Sequence, residues 1–261
     1  MMKKALLFLS LLLVITSCGS DDGGDTPIAD DDPAELFRAT LTFTQNWGGT
    51  EVTNQDYNKT VFTNENGEQM TITRLRFLIS RVVLINSNGQ QFPLADYQLI
   101  DLGNPATNTF LPPIDIPAGG YRLAFTYGFN EGDNVSGQYS DLNTVLWNWP
   151  EELGGGYHFM QLDGNYNVDT TPNPYNFHNG TARQEPGVFV PNHVVFDNPQ
   201  LTAVASDVII NIDMDISQWF KDPNLWDLNQ MDVELMGNFD AQIMMKENSQ
   251  SVFTSQILVD E

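Results

Sequence analysis

The chain has 261 residues and carries 34 acidic against 11 basic side chains, a formal net charge of −23. A surface of that sign repels phosphate backbones, so the composition argues against nucleic acid as a partner. The chain contains one cysteine. Because a single cysteine cannot form an internal disulfide, a hydrophobic core has to stabilise the fold, and the length is enough to build one.

The first residues have the order of a secretory signal. Lys3 and Lys4 precede an apolar run over residues 5–15, which ends in Thr16-Ser17-Cys18. The run is too short to span a bilayer as a helix. Its end resembles a lipobox, in which the cysteine becomes the lipidated first residue of the mature chain. We therefore predict a lipoprotein signal over residues 1–18 and a membrane tie through lipidated Cys18 alone.

Residues 19–35 are acidic and contain several glycines and prolines, which is typical of an extended linker. Their start, Ser20-Asp21-Asp22, resembles the acidic signals that direct some bacterial lipoproteins to the outer face of the outer membrane. We predict a protein that is lipid-anchored to the outer membrane and faces the periplasm or the cell surface. One folded domain is predicted over residues 36–261.

The predicted domain is rich in strand signals. Short β-branched and aromatic stretches alternate with Gly, Pro and Asn clusters, which favours an all-β fold. A long strand over residues 71–85 is flanked by Asn66-Gly67 and Asn88-Gly89, and each of these dipeptides is typical of a tight hairpin turn. Further strands are predicted over residues 91–102, 121–127 and 252–259. Together they indicate a β-sandwich of immunoglobulin-like, Greek-key type.

Two short helices are predicted to interrupt the strands. Apolar residues at helical spacing follow a potential N-cap serine over residues 140–149, which places Trp149 on the inward face of the first helix. The second helix is predicted to start near Asn238 and to carry Ile243 and Met244 inward.

The glycine-flanked segment over residues 154–164 carries the most informative side chains. Alternate residues of a strand share a face, so His158 and Met160 are expected to point the same way. An imidazole beside a thioether suits copper, and a hydrogen-bonded core histidine is the alternative interpretation. The other histidines are His178 and His193. We expect His193 at the surface.

The small number of histidines narrows the choice of metal. A structural zinc site uses four protein ligands, whereas copper(I) accepts two imidazoles and one weaker donor. Asp213 and Asp215 share one face of a predicted strand and are a candidate calcium pair, with an exposed polar face as the alternative. The chain has no nucleophile elbow, phosphate loop or His-Glu-x-x-His helix. The sequence therefore favours a non-catalytic protein over an extracellular hydrolase.

Three runs resemble the methanobactin-associated (MbnP-like) copper-binding protein family: LWNWP at residues 146–150, GGYHFMQLDG at residues 155–164, and FHNG at residues 177–180. The similarity spans nearly the whole chain after the linker. The sequence also departs from the family pattern, with Leu146 where many members have methionine and Asp163 where glutamate is common.

The resemblance implies an extracytoplasmic β-sandwich that binds copper, as copper(I), through His178 and His158, with Met160 as a further donor. It also implies a tryptophan that is oxidised to kynurenine by a di-haem enzyme of the cytochrome c peroxidase type. Trp149 is the first candidate for that residue and Trp147 the second. An outer-membrane transporter is a further expected partner.

A second function from a different class stays open on the sequence. An adhesion or glycan-binding module would use Trp47, Trp147 and Trp226 as an exposed aromatic platform. Aromatic side chains at loop positions are the feature that would distinguish this function from copper binding.

Overall fold

The computed structural model describes residues 35–259. The predicted signal, Cys18 and the linker as far as residue 34 lie outside the described residues. None of the described helices is long and apolar enough to cross a membrane.

The strands are β1 (Leu36–Trp47), β2 (Thr50–Glu51), β3 (Phe62–Thr63), β4 (Gln69–Asn86), β5 (Gln91–Asp101), β6 (Thr109–Phe110), β7 (Asp115–Pro117), β8 (Gly119–Tyr127), β9 (Met160–Tyr166), β10 (Asn173–Asn179), β11 (Ala182–Glu185), β12 (Val188–Val190), β13 (Val194–Asp197), β14 (Thr202–Val204), β15 (Val208–Asp215) and β16 (Phe253–Val259). The α-helices are α1 (Ser140–Thr144) and α2 (Phe239–Val252). Short 3₁₀ helices lie at Asn54–Asp56, Pro105–Asn108, Glu151–Leu153, Ile216–Phe220 and Leu235–Gly237.

Two sheets form the sandwich. The first has the strand order β16-β15-β1-β2, with β6 and β7 also paired to β1. The second has the order β10-β9-β4-β8-β13, with β3 and β5 paired to β4 and β14 paired to β8. β1 and β15 run parallel. The predicted all-β sandwich is confirmed.

The long strand β4 is the centre of the second sheet and spans 18 residues. It pairs with β9 over residues 70–77, with β5 over residues 76–85 and with β8 over residues 79–86. Hairpin turns precede and follow it at Gly67 and Gly89, whose φ angles of 92° and 83° are left-handed. Both turns are where Asn-Gly dipeptides predict them, because glycine adopts positive φ without a steric cost.

The core lies between the two sheets, and Phe253 at the start of β16 shows how they meet. Its ring centroid lies 6.0 Å from that of Phe77 on β4, 6.1 Å from Phe125 on β8, and 5.3 Å from Tyr127 on β8. Such tilted aromatic contacts add to the free energy gained from burying the rings. The first sheet is thus packed onto the centre of the second.

The first helix is shorter than predicted. α1 ends at Thr144, and Leu146 adopts a left-handed φ of 57°, which a continuing helix does not allow. The prediction that Trp149 lies on the inward face of a helix was therefore wrong. Trp149 is buried, but it belongs to an extended segment that follows this reversal.

The second helix starts where predicted, and its buried face differs from the prediction. Asn238 caps α2 by accepting a hydrogen bond from the Ala241 backbone N–H. The fully buried side chains on α2 include Gln242 and Met245, whereas Ile243 and Met244 are half-buried. Apolar spacing did not predict the buried face correctly, because polar side chains such as Gln242 occupy part of it.

Candidate functional site

Three consecutive glycines bend the chain at one end of the second sheet. Gly154, Gly155 and Gly156 all have left-handed φ angles, of 114°, 66° and 80°. Two side chains hold the exit of this turn, since Ser136 Oγ accepts from the Gly156 N–H at 2.7 Å and Asn134 Oδ1 accepts from the Tyr157 N–H at 2.9 Å. The turn folds the residues after it back along those before it.

The folded-back segment brings both tryptophans to His158. The Trp149 N–H donates to the Gly156 carbonyl and the His158 N–H to the Trp147 carbonyl, each at 2.9 Å. Residues two apart in an extended segment share a face, so Trp147 and Trp149 point the same way. Their ring centroids lie 5.5 Å and 5.0 Å from that of His158.

His178 comes to the same place from the edge strand β10. β10 pairs with β9 so that His178 lies opposite Gln161, and Asn176 opposite Asp163. These four side chains share the face of the sheet that points away from the core. The His178 ring centroid lies 5.5 Å from that of His158, with the planes almost perpendicular.

Each histidine has one ring nitrogen committed to an acceptor. His158 Nδ1 lies 3.1 Å from the Trp147 carbonyl oxygen, and His178 Nε2 lies 2.8 Å from Asp163 Oδ1. A carbonyl or a carboxylate only accepts, so both of these nitrogens carry the proton. In the neutral rings, His158 Nε2 and His178 Nδ1 keep a lone pair.

The protonation of the site follows from its surroundings. Burial lowers the pKa of His158 to about 3, although the hydrogen bond to the Trp147 carbonyl acts in the opposite direction. Burial alone would raise the pKa of Asp163, but hydrogen bonds from His178, Asn176 and Arg74 outweigh it and lower that pKa to about 2. At neutral pH the site therefore contains an uncharged His158 and an ionised Asp163.

The two indole rings differ in their hydrogen bonds. Trp149 Nε1 donates to the Leu153 carbonyl at 3.2 Å, and its ring packs directly on Gly180, where a Cβ atom would lie 2.6 Å from the indole. The guanidinium of Arg76 lies over the ring of Trp147, 5.1 Å from its centroid. Trp147 Nε1 is buried without a partner among the described residues.

Met160 lies away from this pocket. It is the first residue of β9, is fully buried in the core, and lies opposite Asn179 and Phe77. Gln161 and His178 therefore face one side of the sheet and Met160 the other. The chain bends at Phe159, just before β9 begins, which breaks the strand alternation that predicted His158 and Met160 on one face.

The aromatic platform of the alternative function does not form. Trp147 and Trp226 are fully buried, and Trp47 is half-buried against Phe62 and Phe220. The expectation of an exposed surface made of these three tryptophans was wrong.

The remaining sequence candidates lie elsewhere. His193 precedes β13 and is half-buried rather than fully exposed. Asp213 accepts hydrogen bonds from Thr44 and Asn46, and Asp215 caps the following 3₁₀ helix through Ser217. Within residues 35–259, no group of three or more His, Cys, Asp or Glu side chains is arranged to hold a metal ion. A metal in the tryptophan pocket would thus rely on the two imidazoles.

Sequence reasoning missed the side chains that orient the histidines. Asp163, Arg74 and Arg76 reach the site through strand register, which a single sequence does not reveal. Gln242 on α2 was also missed: its Nε2 donates to the His178 carbonyl at 2.8 Å and its Oε1 accepts from the Gly180 N–H at 3.2 Å. A polar residue among the apolar positions of a predicted helix was the available signal.

The fold and the site together define a β-sandwich protein with a histidine pair at the edge of one sheet, walled by two tryptophans. A sequence model of the MbnP family matches residues 37–244, and the chain belongs to that family. This confirms the family that the sequence resembles. MbnP from Methylosinus trichosporium has a similar structure at 15% sequence identity, covering 73% of this chain and 80% of that chain, with a TM-score of 0.48. No curated protein matches the chain.

Proposed function

We propose that this MbnP-family protein is an extracytoplasmic lipoprotein that binds copper(I) through His158 and His178 without catalysing a reaction. One observation carries the proposal: two imidazole rings meet edge to face with centroids 5.5 Å apart, and each has one ring nitrogen committed to an acceptor and the other without a partner in the described part of the chain. A neutral imidazole nitrogen is a good ligand for copper.

The chemistry of the surrounding groups fits such a metal. A carboxylate or a backbone carbonyl commonly accepts the second N–H of a ligating histidine, which fixes the tautomer and the ring orientation. Asp163 has this place behind His178, and the Trp147 carbonyl behind His158. Bound copper would supply charge and ligand exchange, and the chain would supply two oriented donors in a mostly apolar pocket.

An oxidised tryptophan is the third donor in this proposal. Trp149 and Trp147 both contact His158, so opening either indole to kynurenine would place a carbonyl and an aniline nitrogen beside the imidazole. The charged guanidinium of Arg76 lies over the ring of Trp147. In the described part of the chain, the ring contact of Trp149 is with His158. We rank Trp149 first, and a di-haem enzyme of the cytochrome c peroxidase type would catalyse the oxidation with a peroxide as the oxidant.

The modification is tested on protein purified from its own host with the di-haem enzyme present. Peptide mass spectrometry is expected to find kynurenine at Trp149. Kynurenine at Trp147 alone would reverse the ranking. Unmodified indole at both positions would leave the tryptophans as packing residues and remove the third donor.

Copper binding is tested by replacing one histidine at a time. His178→Ala is expected to weaken copper(I) affinity at least about tenfold, or ~1.4 kcal/mol, because it removes a ligand and leaves Asp163 without its ring partner. His193→Ala is the matched control and should leave the affinity unchanged in a competition titration with a copper(I) chelator. Equal affinity of wild type and His178→Ala would exclude His178 as a ligand.

The location is tested at the other end of the chain. Cys18→Ala is expected to release the protein into the soluble fraction, because the proposal makes the lipid its only tie to the outer membrane. A variant that stays in the membrane fraction after carbonate washing would contradict lipid anchoring without affecting the copper proposal.

A further inference from the structure

A second cavity contains the remaining histidine, His193. β13 pairs antiparallel with β8, with Val194 opposite Tyr127, so the residues just before β13 lie beside the loop that leaves β8. The cavity between them has a volume of about 170 Å³, and its lining includes Phe129, Glu131, Phe159, Asn192 and His193. Nothing in the copper proposal uses it.

Two polar atoms of this cavity are buried without a partner among residues 35–259. They are Asn192 Oδ1 and His193 Nδ1. The orientation of the Asn192 amide is fixed, because its Nδ2 donates to the Gln242 carbonyl oxygen at 2.9 Å and that oxygen only accepts. The free atom is thus an acceptor on a fully buried side chain. Leaving such an atom without a partner costs about 1–3 kcal/mol.

Glu131 adds a third uncommitted donor, a carboxylate, to the lining of the same cavity. It is exposed, and in the described part of the chain its carboxylate makes no hydrogen bond or ion pair. Both neighbouring cations have partners of their own: Arg81 pairs with Asp133 at 2.6 Å, and Lys246 Nζ donates at 2.8 Å to the carbonyl of Pro191, which also lines the cavity. His193, Asn192 and Glu131 therefore line one cavity, and their imidazole nitrogen, amide oxygen and carboxylate have no hydrogen-bond partner in the described part of the chain.

We propose that His193, Asn192 and Glu131 form a second metal site for a divalent transition-metal ion such as zinc(II) or copper(II). Imidazole nitrogen with carboxylate and carbonyl oxygen is a donor set that suits these ions. The cavity has room for an ion and a few water molecules at ~30 Å³ each, so water completes the coordination. Phe129 and Phe159 close the inner wall and are almost fully buried.

The test is a calorimetric titration of the full chain with zinc(II). His193→Gln and Glu131→Gln are each expected to weaken zinc(II) binding at least about tenfold, ~1.4 kcal/mol. Glu51→Gln, an exposed carboxylate on β2 of the other sheet, is the matched control and should bind as wild type does. Because Glu131 is exposed, its replacement tests the site without disturbing the core.

Two further measurements separate this site from the copper(I) pocket. His178→Ala should keep its zinc(II) affinity, and copper(II) added to that variant should give an electron paramagnetic resonance spectrum with nitrogen ligation that His193→Gln abolishes. Copper(I) affinity should be unchanged by Glu131→Gln. Zinc(II) binding that is absent in wild type, equal in all variants, or lost in His178→Ala would overturn the second site and leave the copper(I) proposal standing.

Discussion

Two histidine pockets share one short segment of the chain and differ in how their donors are held. His158 contacts the tryptophans, whereas its neighbour Phe159 lines the cavity of His193. In the first pocket each imidazole already donates one N–H to a buried acceptor. In the second, His193 Nδ1 and Asn192 Oδ1 have no protein partner in the described residues.

The difference separates two ways of preparing a ligand. Partners behind His158 and His178 fix their tautomers before anything binds, so little reorganisation is left for the metal to drive. In the His193 cavity, Asn192 is held through its Nδ2, but the donor atoms Asn192 Oδ1 and His193 Nδ1 would gain a partner only on metal binding. We therefore expect metal affinity in the first pocket to depend on the groups that accept hydrogen bonds from its histidines. Metal affinity in the second pocket should depend on the donor side chains themselves.

The largest loss of stability is expected on replacing Gln242, whose hydrogen bonds reach residues of both pockets. Gln242 is fully buried, donates to the His178 and Leu235 carbonyls, and accepts from Gly180 and Asn192. Gln242→Leu leaves several buried groups unpaired, at about 1–3 kcal/mol each, so we expect the free energy of unfolding to fall by ~4 kcal/mol. Urea denaturation measures it.

The control for that change lies on the same helix. Gln250 is exposed on α2, and Gln250→Leu should alter the free energy of unfolding by less than about 0.5 kcal/mol. If Gln242→Leu were as mild as this control, Gln242 would not link the two pockets.

A smaller loss of stability is expected at Gly180, where the Trp149 ring packs on the backbone. A Cβ at Gly180 would lie 2.6 Å from the Trp149 ring, which is buried and has no room to move freely. Overpacking of this kind costs about 1–3 kcal/mol, so Gly180→Ala should lower the free energy of unfolding by ~2 kcal/mol. Gly120→Ala is the matched control, because nothing lies within 4 Å of its Cβ position. Equal stability of the two variants would mean that the ring yields.

Acid should weaken the fold through the first pocket. The pKa of His158 is lowered to about 3 in the folded chain, so below the ordinary value of about 6.5 the unfolded chain binds a proton that the folded chain does not. Stability is then full above pH 6.5 and falls as the pH drops towards 3. Between pH 7.5 and pH 5 this group accounts for a loss of ~2 kcal/mol.

The assignment of that loss is checked by substitution. His158→Gln should flatten this part of the stability profile, measured by denaturant titration at each pH. His193→Gln should leave most of the slope in place, because His193 is only half-buried. A slope that survives in His158→Gln would mean that another group titrates.

The sequence predicts the frame of this protein better than the details of its site. The central strand β4, the hairpins at Gly67 and Gly89, and the Asn238 cap follow from local rules of backbone conformation. The end of α1 does not, because Leu146 takes a left-handed φ that apolar spacing cannot signal. The sequence correctly predicted that Trp149 is buried, but it placed Trp149 on α1 instead of on the extended segment that follows.

The site depends on pairing between distant strands. A register irregularity between Ile72 and Arg74 sets which residues of β4 meet β9, and it brings Arg74 opposite Asp163. Nothing near Asp163 in the sequence encodes that bulge. The same holds for Met160, whose face is set by the bend at Phe159 and not by its spacing from His158.

The mildest predicted change tests whether the partner behind a ligand matters more than charge in general. Asp163 accepts from His178 Nε2 and Asn176 Nδ2 and is ion-paired with Arg74. Asp163→Asn keeps the shape and an acceptor oxygen, and it removes the negative charge that strengthens His178 as a donor. Loss of such a partner typically lowers metal affinity about 10- to 100-fold, and because an acceptor remains we expect the lower end, about tenfold for copper(I). Asp213→Asn removes a charge from the other sheet, where Thr44 and Asn46 are the partners, and should leave copper(I) affinity unchanged. If both variants lose affinity equally in a chelator competition, the effect is long-range electrostatics, and the hydrogen bond behind His178 does not prepare the site.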